Sequence, residues 1–244
     1  MISKNQIKLI SSLHQKKYRQ LHQLFIAEGE KVIAEFLASK YDLDSLFITD
    51  ETTVFDYIDQ KNLISTADLN KISCLTTPNN CLAVFKIPIQ KQSDNNGLIL
   101  VLDGIQDPGN LGTIVRLCDW FGITNLICST NTVDLYNPKV VQATMGSMAR
   151  VTVTYCEINT YLKQVAVPVY GTFMDGATIY DQNLPNHAVL ILGNEGNGIS
   201  PEIERLVTQK VAIPRFGSLQ KAESLNVASA AAIFLSEFKR KQHT

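Results

Sequence analysis

The 244-residue sequence predicts two α/β domains, the second built on a parallel sheet covered by helices on both faces. Short continuous apolar runs alternate with segments of 3.6-residue periodicity through the second half. A polar, turn-rich stretch from Pro88 to Gly97 separates that half from a smaller alternating one, and glycine-rich loops directly follow two of the apolar runs. The length agrees, because one core commonly serves roughly 100 to 200 residues. The domains are expected at 1–90 and 97–244.

In the first half, Leu24–Ala27, Leu43–Thr49, Leu63–Ser65 and Cys81–Ile87 read as strands. Helical periodicity runs through Lys31, Val32, Ile33, Phe36 and Leu37, and Val54–Gln60 and Ala67–Ile72 are further helical candidates. In the second half the strands are Gly97–Leu102, Asn125–Ser129, Val151–Tyr155, Pro168–Thr172, Val189–Leu192 and Lys210–Ile213. Helices are expected at Leu111–Phe121, Lys139–Met148, Tyr161–Val165, Pro201–Val207 and Leu225–Lys239.

Hydrophobic residues make up 45% and charged residues 18%, which excludes a disordered chain. No apolar run approaches the roughly 18 to 20 residues of a membrane helix, and Met1–Ile10 lacks an apolar secretory segment, so a cytoplasmic protein without a membrane partner is expected. The five cysteines form no C-x-x-C pair and read as small buried apolar residues, and no metal is expected. A net charge of -1 lacks the basic footprint of a nucleic-acid binder. Its distribution is uneven, however. Between Met1 and Ala27 stand Lys4, Lys8, Lys16, Lys17 and Arg19, with His14 and His22 and no carboxylate. That segment suits a polyanion, or equally a solvated basic helix face.

Three motifs carry chemistry. The first, Leu102-Asp103-Gly104-Ile105-Gln106-Asp107-Pro108-Gly109-Asn110-Leu111-Gly112-Thr113-Ile114-Val115-Arg116, is a strand end, a tight loop and a helix start. Asn110 stands where an N-cap belongs, and Leu111, Ile114, Val115, Cys118 and Phe121 supply a buried face at helical spacing. Arg116 projects off that face toward a substrate phosphate or ribose, or else pairs with a carboxylate such as Asp119. Gly104, Gly109 and Gly112 lack G-x-G-x-x-G spacing, so NAD is not indicated.

The second motif is Ile191-Leu192-Gly193-Asn194-Glu195-Gly196-Asn197-Gly198-Ile199-Ser200. Ile199 occupies the place where a Walker A lysine would stand, and Glu195 repels phosphate. The loop therefore suits backbone approach to a neutral adenosine, unless it is simply a glycine-rich turn. The third runs from Ile213-Pro214-Arg215-Phe216-Gly217 to Ala222-Glu223-Ser224-Leu225-Asn226 and an alanine-rich helix that Ser224 or Asn226 can cap.

Together and in this order, these motifs resemble the SpoU class of the SPOUT methyltransferases. The likeness covers Gly97 to about Arg240, and more softly Lys16–Pro88. It implies a C-terminal α/β domain with a deep trefoil knot, preceded by a small α/β substrate-binding domain resembling ribosomal protein L30e. It implies S-adenosylmethionine as cofactor, with Gly193, Ile213 and Leu225 touching it and Thr172 and Leu192 lining its pocket. It also implies a homodimer, with each active site completed near the subunit boundary.

The activity so implied is methyl transfer to a ribose 2'-hydroxyl of structured RNA, ribosomal RNA favoured over tRNA. Asn110, Arg116, Glu195, Ser224 and Asn226 then form the catalytic set. A guanidinium gives up its proton only at great cost and is a poor base, so Arg116 is expected to steady the oxyanion. Glu195 would position Arg116 or the ribose, and Ser224 with Asn226 would hold the loop and the methionine end. At Gln142-Ala143-Thr144 the family often carries a basic residue followed by a hydroxylic one, so Gln142 removes a phosphate contact that Lys139 and the N-terminal basic segment would have to replace. A non-catalytic RNA-binding protein on the same scaffold is the rival reading. Binding of S-adenosylmethionine would separate the two.

Overall fold

Phe25 and its cross-strand partner Phe85 turn to one face of a sheet, and the next pair, Ile26 and Val84, to the other. All four are at most 1% exposed, so this sheet is covered on both sides. The computed structural model describes residues 2–39, 41–50, 54–89, 96–217 and 224–240. They form two compact units, Met1–Gln90 with Asp134–Ala149, and Lys91–Val133 with Arg150–Thr244.

In the first unit, β1 (Leu24–Glu28), β2 (Leu43–Ile48), β3 (Lys61–Leu63) and β4 (Cys81–Lys86) lie in the order β1-β4-β2-β3. β4 runs antiparallel to both of its neighbours, and β2 and β3 are parallel. Phe25, Phe36, Tyr41, Phe85 and Tyr136 interlock on one face with centroids 5.0 to 6.4 Å apart. Helices α1 (Lys4–Ser12) and α4 (Thr66–Ile72) bring Ile10, Leu13, Leu69 and Ile72 to a cluster with Ile26, Phe47 and Val84 on the other. Ser3 and Gln6 start α1 with a reciprocal capping box. The carboxylate of Glu28, 4% exposed, accepts from the Cys74 amide at 2.7 Å and from the Ser73 hydroxyl, which explains its burial. Helices α2 (Lys16–His22) and α3 (Glu30–Ala38) complete the segment, and α2 precedes β1 directly.

Asp134–Ala149 was expected within the 97–244 domain but packs with the first unit. Tyr136 lies 5.0 Å from Phe25, and α6 (Pro138–Thr144) buries Val140 and Val141. The helix expected over Lys139–Met148 stops at Thr144, because Met145 turns left-handed at φ 50° and Gly146 follows at φ 89°. A Cβ on Gly146 would stand 2.4 Å from that of Glu35, so α3 approaches too closely for any side chain there. Val54–Gln60 is not a helix. Phe55 is fully buried and Ile58 half-buried, while Val54 is 59% and Tyr57 67% exposed, and the segment closes as a turn in which the Ile58 amide donates to the Phe55 carbonyl at 2.9 Å. The centre of the expected linker, residues 90–95, lies outside the described residues.

In the second unit, β5 (Leu98–Leu102), β6 (Asn125–Ser129), β7 (Thr152–Cys156), β8 (Val169–Thr178), β9 (Ala188–Leu192) and β10 (Gln209–Ala212) form one parallel sheet in the order β10-β8-β9-β5-β6-β7. α5 (Pro108–Trp120) follows β5, α7 (Ile158–Leu162) follows β7, α8 (Pro201–Glu204) follows β9, and α9 (Val227–Arg240) packs on α5. The order reverses at β5: β6 and β7 extend to one side, β9 and β8 to the other. Adjacent strands β5 and β9 consequently end together, Leu102 beside Leu192, with their loops opening at the same edge. Open parallel sheets bind ligands in that crevice.

Candidate active site

Asp107 starts α5. Its side chain accepts from the Asn110 amide at 2.8 Å, and Pro108 fills the first helical position, where a missing N–H costs nothing. The N-cap therefore stands three residues before the one expected at Asn110, and the reason is that Asp-Pro outcompetes Asn as a start signal. Its displacement gives Asn110 another role. Its Nδ2 donates to Glu195 Oε1 at 2.9 Å, and its Oδ1 accepts from Asn226 Nδ2 at 2.9 Å. Asn226 in turn caps α9, accepting from the amides of Ala228 and Ser229 at 3.0 and 3.2 Å. One amide thus joins all three motifs.

Two residues that the motif reading left without a role hold the loops in place. Asn194 donates to the Gly104 carbonyl at 2.7 Å and accepts from the amides of Gly196 and Asn197 at 2.9 and 3.1 Å. Asp103, 8% exposed, accepts from the Ser200 amide at 2.8 Å. The signal for Asn194 was present, since asparagine two residues before glycine commonly bonds its own turn. Asp103 offered none beyond its place at a strand end. Gly193 is obligatory: a Cβ there would lie 2.2 Å from the Gly198 carbonyl carbon, inside the turn closed by paired Asn194 and Gly198 backbone bonds of 2.9 Å. Gly104 meets its left-handed φ of 75°.

Arg116 is exposed and makes no ion pair among the described residues. Asp119, its candidate partner, is engaged by Arg150 at 2.9 Å. Thr113, Arg116 and Trp120 form an exposed stripe along α5, with Trp120 83% exposed.

Thr172 lies at the same sheet edge and donates to the Ile191 carbonyl at 3.0 Å. Gly171 pairs with Lys210, but the next residue of β10, Val211, pairs with Ala177, so 172–176 bulge out of the ladder. A cavity of about 350 Å³ opens between this bulge and the chain after β10, lined by Met174, Gly176, Thr178, Ile213, Pro214 and Arg215. Of the five expected cofactor contacts, Ile213 lines it. Leu192 is 1% exposed, Leu225 is 52% exposed, and Ser224 is exposed without joining the Asn110 cluster. Ala222 and Glu223 of the third motif lie outside the described residues. A larger cavity, about 600 Å³, lies between α1 and β2–β3, and no motif residue lines it.

Burial pushes the Cys74 and Cys81 thiols up to about 12, and those of Cys118 and Cys128 upward as well, so none offers a thiolate near neutral pH.

Residues 97–236 match the family model described as the SpoU rRNA Methylase family. The chain belongs to that family. Residues 4–83 of this SpoU family member match a second model, the MRM3-like substrate binding domain. A curated relative, the 23S rRNA (guanosine(2553)-2'-O)-methyltransferase RlmP of Bacillus subtilis, is 32% identical over 96% of each chain. A putative RNA methyltransferase of the TrmH family from Porphyromonas gingivalis is 41% identical and superposes over 99% of each chain with a TM-score of 0.88. An rRNA methyltransferase from Sinorhizobium meliloti, solved with AdoMet bound, is 26% identical and covers 99% of this SpoU chain and 97% of its own, with a TM-score of 0.85.

Proposed function

We propose that this protein transfers a methyl group from S-adenosylmethionine to a ribose 2'-hydroxyl of ribosomal RNA. The observation that carries the reading is the Asn110 bridge, which gathers the loops of three family motifs into one cluster on the helix that presents an uncommitted guanidinium. The named activity of the RlmP relative supports rRNA over tRNA.

The cofactor's requirements agree with the residues present. An adenosine needs close backbone approach and apolar contact. The bulged Thr172–Gly176 stretch and the cavity beside Ile213 offer both. In this reading Thr172, Leu192, Gly193, Ile213 and Leu225 hold it. When bound, S-adenosylmethionine would supply a sulfonium-activated methyl group and be left as a neutral thioether, while the hydroxyl proton would pass to water.

The protein's task is alignment and stabilisation of negative charge on the attacking oxygen. The Arg116 guanidinium, with several N–H donors in a planar fork, steadies the developing alkoxide or the adjoining phosphate. Glu195, oriented by Asn110, fixes the ribose or the guanidinium. Asn226 anchors the chain that carries Ser224 and Leu225, and Ser224 completes the set at the methionine end. The reading extends to a trefoil-knotted C-terminal domain of 97–244, an L30e-like substrate domain in the N-terminal 1–90, action in the cytoplasm and a homodimer. Among the described residues no helix is long and apolar enough to cross a membrane.

The test is incubation of purified protein with isotopically labelled S-adenosylmethionine and in vitro transcribed 23S rRNA, followed by mapping of alkali-resistant linkages. Label at a single ribose is the expected result. Failure to label either rRNA or tRNA transcripts, with no heat of S-adenosylmethionine binding in calorimetry, leaves the non-catalytic alternative.

A further inference from the structure

The basic N-terminal segment divides into one structural cation and several outward-facing ones. Arg19 is 2% exposed. Its Nε and Nη2 donate to Asp134 Oδ2 at 3.0 and 2.6 Å, and its Nη1 donates to the carbonyls of Leu13 and His14 at 2.8 and 2.9 Å. Arg19 is thereby spent on fastening the α1–α2 turn to the Asp134–Ala149 segment, and it fixes the rotation of α2 about its axis.

That rotation leaves Lys16, Lys17, Gln20 and His22 exposed. The Lys17 ammonium sits 5.6 Å from the Tyr18 ring centroid, and the Tyr18 ring stacks on His22 at 6.4 Å and 13°. Neither α1, nor α2, nor the turn between them contains a carboxylate. The carboxylate paired to α2, Asp134, is already neutralised by Arg19. Lys4 and Lys8 extend the positive surface along α1.

Phosphates seek such unopposed cations, and an unstacked base seeks an aromatic face beside them. An acidic protein partner would use the lysines but has no need of a stacked ring pair, and Leu21, 68% exposed, is the one large apolar side chain exposed on α2 to anchor it. We infer that the exposed side of α2 carrying Lys17, Tyr18 and His22, with Lys16 on its flank, grips a single-stranded loop of the RNA substrate. The inference rests on the proposed function for the identity of the RNA, but not on catalysis.

Filter binding of in vitro transcribed 23S rRNA over a salt series from about 50 to 200 mM tests it without requiring turnover. The double variant Lys16→Gln/Lys17→Gln should reduce the slope of log affinity against log salt by about 1.5. Tyr18→Leu, which keeps apolar bulk, should weaken binding at least ~5-fold through lost stacking. Lys71→Gln, which removes a lysine paired with Asp68 elsewhere in the unit, should match the wild type. All three should bind S-adenosylmethionine normally. Wild-type affinity and slope in both α2 variants overturn the inference, and so does an equal loss in Lys71→Gln. Tight, α2-dependent binding by a wild-type protein that methylates nothing would instead overturn the proposed function alone. A wild-type protein that binds no transcript would overturn both.

Discussion

Arg116 decides whether the cluster around Asn110 is an active site or only a well-knit corner. Its guanidinium is exposed while the nearby acid, Asp119, is held by Arg150. A surface arginine kept for stability would be expected to take that carboxylate. Replacing Arg116 with Ala should therefore lower kcat at least ~100-fold, the scale for one oxyanion-stabilising donor, while calorimetric affinity for S-adenosylmethionine stays within a few-fold of wild type. A variant with near-normal turnover takes Arg116 out of the mechanism. The sequence made Arg116 readable because helical spacing sets it off the apolar face of Leu111, Ile114 and Val115. It could not show which arginine Asp119 prefers, since Arg150 is 31 residues away. Arg19 is the opposite case. It read as one more member of a basic run, and only the distant Asp134 reveals it as buried structure.

At the scale of elements, the parallel sheet was legible because continuous apolar runs leave little choice, and its six strands fall within a few residues of their expected places except β8, which runs on to Thr178. Helix starts were less legible. Competing caps sit close together in Asp107-Pro108-Gly109-Asn110, and choosing Asn110 assigned a backbone duty to a side chain that ties three loops. This difference yields a sharp pair of variants. Asn110→Ala loses both the Glu195 and the Asn226 bonds. Asn110→Asp can still accept from Asn226 but places a carboxylate against Glu195. With hydrogen bonds to charged groups worth about 1.5 to 3 kcal/mol, Asn110→Ala should cut kcat/KM by roughly 10-fold, and Asn110→Asp further still, both with little change in thermal midpoint. Steady-state kinetics beside a melting curve measures this. Asn110→Asp with activity at or above that of Asn110→Ala would show that the Glu195 contact does not matter.

For the molecule as a whole, the linear reading and the folded units divide the chain differently. The sequence places one break between Pro88 and Gly97, where polarity changes. Packing assigns Asp134–Ala149 to the first unit as well, a choice that local composition cannot reveal because its partners, Arg19, Phe25 and Glu35, are about a hundred residues away. A fragment of residues 1–90 would consequently lack Asp134, leaving Arg19 buried without its carboxylate, and would open the aromatic face of β1 where Tyr136 sits. Removing one partner of a buried ion pair costs about 3 to 5 kcal/mol, a large share of the roughly 5 to 15 kcal/mol that holds an ordinary domain. Fragment 1–90 should accordingly show no cooperative urea transition, while a version with 134–149 joined through a flexible linker should recover one. In the intact chain Arg19→Leu should lower stability by about 3 kcal/mol, and a second change, Asp134→Leu, should restore part of it by removing the stranded charge. If 1–90 unfolds cooperatively at the same urea midpoint with and without 134–149, the first unit is closed on its own and the Asp134–Ala149 segment is only a passenger upon it.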